Sequence, residues 1–135
     1  MSYSDKVLDH ARNPRHVGFI EDADGVGVVG DPSCGDFVVL TIRVRDGHIA
    51  DVRYQIRGCG AAIATCSAAA GLVFGQPLDI AETLTDEDVV RALDGLPPEK
   101  LHCSNLAASA LHAALDDYRR RQKTDLHDWR SLYAR

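Results

Sequence analysis

Two alternating runs joined by Asp46-Gly47 constrain this chain more than any other feature. From Phe37 to Arg45, the residues Val38, Leu40, Ile42 and Val44 alternate with Val39, Thr41, Arg43 and Arg45. That period of two is expected of a strand with one buried face. Asp46-Gly47 suits the two central positions of a type I′ hairpin turn, and Ala50, Val52, Tyr54 and Ile56 then alternate with Asp51, Arg53, Gln55 and Arg57. A hairpin marked this way commits the chain to an antiparallel sheet, and Val26 to Gly30 is the candidate for a further strand.

Around the hairpin the pattern is helical. Ser2-Tyr3-Ser4-Asp5 can cap a short helix with Val7 and Leu8 facing inward, ended by Asn13-Pro14 because the residue before proline avoids the helical region. After Gly58-Cys59-Gly60 an alanine-rich run predicts a largely buried helix ending near Gly75, with Pro77 just beyond. Two short helices are expected over Leu78 to Leu84 and Asp86 to Leu93, the second opened by a Thr85-x-x-Asp88 cap and closed by Gly95. The paired prolines make Leu96-Pro97-Pro98-Glu99-Lys100 an extended, exposed segment. From about Ser104, Leu106, Ala107, Ala110, Leu111, Ala114, Leu115 and Tyr118 recur at helical spacing, and the polar tail over 124–135, with Trp129, Leu132 and Tyr133, is expected to dock weakly or fray.

With 135 residues, 45% of them hydrophobic, the chain suits a single domain over 1–135 that buries its own core. A formal net charge of -5 opposes a nucleic-acid role. The acidic residues Asp79, Glu82, Asp86, Glu87, Asp88 and Asp94 read as a solvated helix pair, and Arg119, Arg120, Arg121 and Lys123 as a basic helix end. No secretory signal pattern and no apolar run long enough to span a membrane is seen, so a cytoplasmic setting is expected. There, four cysteines without a CxxC pair point to metal binding or reactivity rather than to disulfides.

Three of those cysteines sit in glycine-rich or helix-start settings: Cys34 before Gly35-Asp36, Cys59 between Gly58 and Gly60, and Cys103 after His102. Their placement at the start of one strand, the end of its hairpin partner and the start of the last helix allows all three to meet at one end of the sheet. Three thiolates with Asp36 or His102 would make a four-ligand site for Zn²⁺, iron or an iron-sulfur cluster. Electron-carrying clusters normally have four cysteines, whereas here the fourth donor would be Asp36 or His102; the mismatch of a hard oxygen donor with a soft cluster suggests a cargo that is passed on. A helix N-terminus favours thiolate, which makes Cys103 the candidate reactive sulfur. Cys66, among alanines, reads as core packing, although it could face the site if its helix starts early. His10, His16, His48, His112 and His127 have no cysteine neighbours and take no role.

Taken together, Tyr3-Ser4-x-Lys6-Val7-x-Asp9-His10, Asn13-Pro14-Arg15-x-Val17-Gly18, Val29-Gly30-x-Pro32-x-Cys34-Gly35-Asp36, Gly58-Cys59-Gly60-x-Ala62-Ile63-Ala64 and Leu96-Pro97-Pro98-x-Lys100-x-His102-Cys103-Ser104 resemble the IscU/NifU amino-terminal family of iron-sulfur cluster assembly scaffolds. The resemblance runs from Tyr3 to about Arg121. It implies an α+β fold, with a three-stranded antiparallel sheet packed by about five helices. It also implies that Cys34, Cys59 and Cys103 are cluster ligands and Cys103 the persulfide acceptor. Asp36 would keep the cluster labile, His102 would be an additional ligand, and Lys100 the basic residue beside the site. The implied cargo is a transient [2Fe-2S] cluster built from iron and from sulfur supplied by a cysteine desulfurase, with Zn²⁺ taken up in the cluster-free site. A frataxin-like iron donor, apo-protein acceptors, and an Hsp70-type chaperone with a J-protein are the implied partners. The chaperone would bind Leu96, Pro97, Pro98, Glu99 and Lys100.

Three positions depart from the family pattern. Glu99 replaces a valine in the chaperone segment, which opposes chaperone binding because a charge must be desolvated. Asn105 replaces an aliphatic residue after His102-Cys103-Ser104, and Cys66 stands where small or hydroxylated residues are usual. Two rivals stay open: a zinc-binding interaction protein with a static site, and a sulfur-transfer enzyme using Cys103 alone as nucleophile. Asp36 beside Cys34 has little purpose in either, so the expectation is a scaffold and not an enzyme. Monomer and homodimer are both compatible with the sequence.

Overall fold

The computed structural model describes residues 3–30 and 35–133, with side chains described as far as Gln122. Strands β1 (Gly25–Gly30), β2 (Phe37–Arg45) and β3 (His48–Arg57) form one antiparallel sheet in that order. Helices α1 (Asp5–Arg12), α2 (Gly60–Val73), α3 (Leu78–Glu82), α4 (Asp86–Ala92) and α5 (Leu101–Tyr133) pack around it. The expected three-stranded α+β architecture is therefore the observed one.

The hairpin turn has positive φ at both central residues, 53° at Asp46 and 75° at Gly47, as type I′ requires. One strand position differs from expectation. Arg43 pairs with Asp51 but Val44 pairs with Ile49, so Ala50 is an extra residue in β3. This bulge shifts the alternation by one: Ile49 is buried and Ala50, expected on the buried face, is exposed. Farther along β3, the Tyr54 amide donates to His16 O (3.1 Å) and the Gly18 amide donates to Tyr54 O (2.9 Å), which covers part of that sheet edge.

β1 lies directly on α5. A Cβ at Gly27 would stand 2.1 Å from Ala110 O, and one at Gly25 would stand 2.3 Å from Ala114 O. Only glycine lets the strand backbone touch the helix backbone there. The same seam is tied by the Val26 amide, which donates to Asp117 Oδ2 at 2.8 Å. Arg120 and Arg121 reach the Asp117 carboxylate at 2.8 and 3.0 Å. Burial opposes the charge, but the Val26 amide and the two arginines hold the Asp117 carboxyl below its ordinary pKa. The basic helix end is thus partly an internal anchor, and Arg119 pairs with Glu82 on α3.

α2 is apolar on nearly every side, so it can only lie inside. It is buried between the sheet, α1 and α5, and ten of its fourteen residues are inaccessible, including Cys66. α4 opens with the expected capping box: the Asp88 amide donates to the Thr85 hydroxyl (3.2 Å) and the Thr85 amide donates to the Asp88 carboxylate (3.0 Å).

Two expectations near the last helix are corrected. Pro98–Lys100 form a 3₁₀ turn rather than an extended stretch, and Leu96, Pro97 and Lys100 are half-buried. Proline is excluded from a helix interior, but Pro98 stands first in this turn, where its missing N–H costs nothing and its fixed φ suits the turn. The turn leads straight into α5, which begins at Leu101 instead of Ser104 and places Cys103 in its first turn. At the other end the backbone helix continues to Tyr133 through most of the expected tail, whose side chains lie outside the described residues.

Candidate functional site

Phe37 pairs with Arg57 at the end of the sheet opposite the hairpin turn, and Gly30 pairs with Phe37. Asp36 immediately precedes β2, while Gly58 and Cys59 immediately follow β3. A Cβ at Gly58 would lie 3.2 Å from Asp36 Oδ1 and 3.0 Å from the Ala62 side chain, so glycine lets the Asp36 carboxylate lie against the backbone beside Cys59. Cys59 is the N-cap of α2, with extended backbone and its carbonyl accepting from the Ile63 amide at 3.0 Å. The 3₁₀ turn and the first turn of α5 bring Lys100, His102 and Cys103 to the same place.

These side chains form a continuous polar run. Lys100 Nζ lies 3.8 Å from Cys59 Sγ, His102 Nε2 lies 3.7 Å from Cys103 Sγ, and the same imidazole nitrogen is 3.9 Å from Asp36 Oδ2. Cys103 is fully buried with Ala61 and Ala62, and Tyr3, Ile56, Cys59 and Leu96 pack against that group. His102, Asp36, Val29, Asn105, Leu106 and Ser109 line an adjoining cavity of about 300 Å³. Asn105, whose replacement of an aliphatic residue had no assigned effect, accepts from the Ser109 hydroxyl at 3.1 Å and so faces this cavity as part of a polar pair.

The two thiols have opposite tendencies. At Cys59, burial works against ionisation, yet the Ala62 and Ala61 amides, the Cys103 thiol and the Lys100 ammonium together hold the pKa below its ordinary value. At Cys103, burial first and the neighbouring Cys59 next push the thiol up to about 11. The helix N-terminus that argued for a reactive Cys103 is thus outweighed by its enclosure. Lys100 is held above its ordinary value chiefly by Cys59, with Tyr3 adding. Cys66 is pushed up to about 12 by burial and then by Cys103, in keeping with a core position.

The structure therefore gathers Asp36, Cys59, Lys100, His102 and Cys103, leaves Cys66 in the core, and places Leu96 against the Cys103 group. Cys34 lies outside the described residues, as do Asp31, Pro32 and Ser33. Among the described residues no three or more His, Cys, Asp and Glu side chains converge closely enough to hold an ion alone. Two soft thiols with an imidazole, backed by an ammonium and two amides, nevertheless match the donor chemistry of thiophilic metals and iron-sulfur clusters. Sequence reasoning missed Thr65, whose hydroxyl lies 2.7 Å from Ala62 O and 3.1 Å from Cys103 O. The signal was available: a hydroxyl among buried alanines must find a partner.

The fold and site define a small α+β domain that gathers thiols at one end of an antiparallel sheet. Residues 2–125 match the NifU-like N terminal domain family, and the chain belongs to that family. It is 54% identical over 119 residues to the Archaeoglobus fulgidus protein called iron-sulfur cluster assembly scaffold protein IscU 1, covering 88% of this chain and 78% of the relative. To the Escherichia coli protein called iron-sulfur cluster assembly scaffold protein IscU it is 45% identical over 127 residues, covering 91% of this chain and 98% of the other. A crystal structure of the N-terminal part of a nitrogen-fixing NifU-like protein from Brucella abortus shares the fold, with a TM-score of 0.66, 20% identity, and coverage of 86% of this chain and 93% of that one. Among the described residues no helix is long and apolar enough to cross a membrane.

Proposed function

We propose that this protein is a scaffold on which an iron-sulfur cluster is assembled and from which it is released, with the cluster as cargo. The observation that carries this reading is the meeting of Cys59, Cys103, His102, Asp36 and Lys100 at one end of the sheet, in a chain whose relatives are named as such scaffolds. In the finer form of the proposal the cargo is a [2Fe-2S] cluster on Cys34, Cys59 and Cys103, with His102 or Asp36 as fourth donor. Zn²⁺ would occupy the same donors when cargo is absent.

Sulfur arrives as a persulfide of a cysteine desulfurase. The acceptor thiolate, assigned to Cys103, takes the outer sulfur while the desulfurase thiolate leaves, a transfer without net oxidation. Each transferred sulfur then needs two electrons to become sulfide: for a diferric [2Fe-2S] cluster one comes from a ferrous ion as it is oxidised and one from an external reductant. Because Cys103 is enclosed, its acceptance of sulfur requires the surrounding cover of Tyr3 and Leu96 to move. Lys100 beside Cys59 offsets thiolate charge as the donors fill. The proposal includes a frataxin-like iron donor, apo-protein acceptors and a cytoplasmic setting for one domain over 1–135. An Hsp70-type chaperone with a J-protein at Leu96–Lys100 is also included, opposed by the charge of Glu99.

The test is replacement of Cys34, Cys59 and Cys103 together by serine, followed by anaerobic assembly with ferrous iron, cysteine, a reductant and a desulfurase. The triple variant is expected to stay colourless where the unmodified protein develops cluster absorption; a coloured triple variant sinks the assignment. An unmodified protein that takes no cluster and retains zinc would select the static zinc site instead.

A further inference from the structure

We propose that Thr65 is a positioning residue that holds Cys103 against Cys59 by tying the first turn of α5 to the first turn of α2. Its hydroxyl is fully buried and lies between two carbonyls, Ala62 O at 2.7 Å and Cys103 O at 3.1 Å. Ala62 follows the N-cap Cys59 by three residues in α2, and Cys103 is the third residue of α5. One hydroxyl thus joins the two helix starts that each carry a thiol of the site. The Cys59 and Cys103 thiols, which hydrogen-bond one another, are the second link between the same two helix starts.

The hydroxyl has one proton and two acceptors, so it gives one full hydrogen bond or divides it. Each carbonyl lies inside a helix whose own ladder already brings an amide from four residues on. Removing the hydroxyl therefore strands no backbone group, and a valine of nearly the same shape fills the volume. What is lost is the cross-helix tie. Donation to Cys103 O holds α5 onto α2 and keeps Cys103 enclosed with Ala61 and Ala62. Donation to Ala62 O alone is local to α2 and leaves the start of α5 free to lift. The hydroxyl thereby fixes where the Cys103 thiol sits relative to Cys59, which both slows its random exposure and keeps it placed as a donor.

The bearing of Thr65 on cluster assembly rests on the proposed scaffold role, whereas its hold on Cys103 does not, and the experiment separates them. Zinc-free wild type, Thr65→Val and Thr65→Ser would be labelled with iodoacetamide and each cysteine followed by mass spectrometry, with the denaturation midpoint as control for the fold. Loss of the tie is expected to raise the Cys103 labelling rate about fivefold to tenfold in Thr65→Val, the size of one net hydrogen bond. Thr65→Ser keeps the hydroxyl and is expected to return the rate to near wild type. A Cys103 rate in Thr65→Val close to that of wild type, or a serine variant that behaves like valine, overturns the proposal. Should Thr65→Val not fold, the unmodified protein decides: a hydroxyl deuterium isotope shift at the ¹³C-labelled Cys103 carbonyl supports the tie, and a shift at the Ala62 carbonyl alone overturns it. Slower cluster assembly in Thr65→Val, restored by serine, is expected for the role in the site, and unchanged assembly overturns that role. If wild type assembles no cluster, the scaffold reading falls and the labelling result alone decides the tether.

Discussion

The seam between β1 and α5 and the thiol-bearing end of the sheet are built on opposite terms. At the seam, strand backbone meets helix backbone across Gly25 and Gly27, and the Val26 amide is claimed by Asp117. At the thiol end, the polar contacts are long: Lys100 and His102 stand 3.8 and 3.7 Å from the two thiols, and His102 3.9 Å from Asp36. A close-packed seam admits one arrangement, because any added atom must displace a neighbour. Long contacts between a thiol, an imidazole and a carboxylate can be exchanged for bonds to a cargo at small cost. The difference teaches where this protein has slack: the body is rigid so that the donors at its end need not be.

The comparison is broken most forcefully at the seam. Gly27→Ala places a Cβ 2.1 Å from Ala110 O and 2.6 Å from Ala114 N, both backbone atoms. The expected loss is about 3 kcal/mol of unfolding free energy, read as a lower denaturation midpoint at constant slope. Next comes Asp117→Asn, which keeps the shape but loses the charge that holds Val26, Arg120 and Arg121. It is expected to cost about 1.5 kcal/mol at neutral pH. Because the folded carboxyl titrates below its ordinary 3.8, this stability is complete above that value and lost as pH falls through the lower folded pKa. The gap between the two proteins should therefore close in acid, and denaturation measured across that range checks it.

At the other end, Asp36→Ala sharpens the contrast. Asp36 is half-exposed and its contact with His102 is long, so stability should barely change. Removing a hard donor beside a soft site is expected to lengthen the retention of bound cluster about tenfold, measured as the rate of transfer to an apo-ferredoxin. The smallest effect is expected from Lys6→Ala. Its ion pair with Asp94 is exposed on both sides at 3.5 Å, and neither the denaturation midpoint nor cluster assembly should move.

Much of this contrast is legible in the chain, for local reasons. Alternation and Asp46-Gly47 reveal the hairpin, alanine content reveals α2, and Thr85 with Asp88 reveals the start of α4. Each signal lies within a few residues. The bulge at Ala50 escapes because register depends on the partner strand, and Asp117 escapes because its partner Val26 is 91 residues away in sequence. At the site, Cys59, Cys103, His102, Asp36 and Lys100 are recognisable from their settings and motifs. Their tendencies are not: a helix N-terminus argues for an ionised Cys103, but burial and the neighbouring Cys59 push its thiol up. Thr65 escapes for the same reason as Asp117, since its second acceptor is 38 residues away.

The most direct test of the central claim is anaerobic assembly on the metal-free protein with ferrous iron, cysteine, reductant and a catalytic amount of cysteine desulfurase. Visible and Mössbauer spectra would follow assembly, and transfer to an apo-ferredoxin would then be measured. The account predicts a [2Fe-2S] spectrum that passes to the ferredoxin. A colourless protein, or a cluster that never leaves, would contradict it.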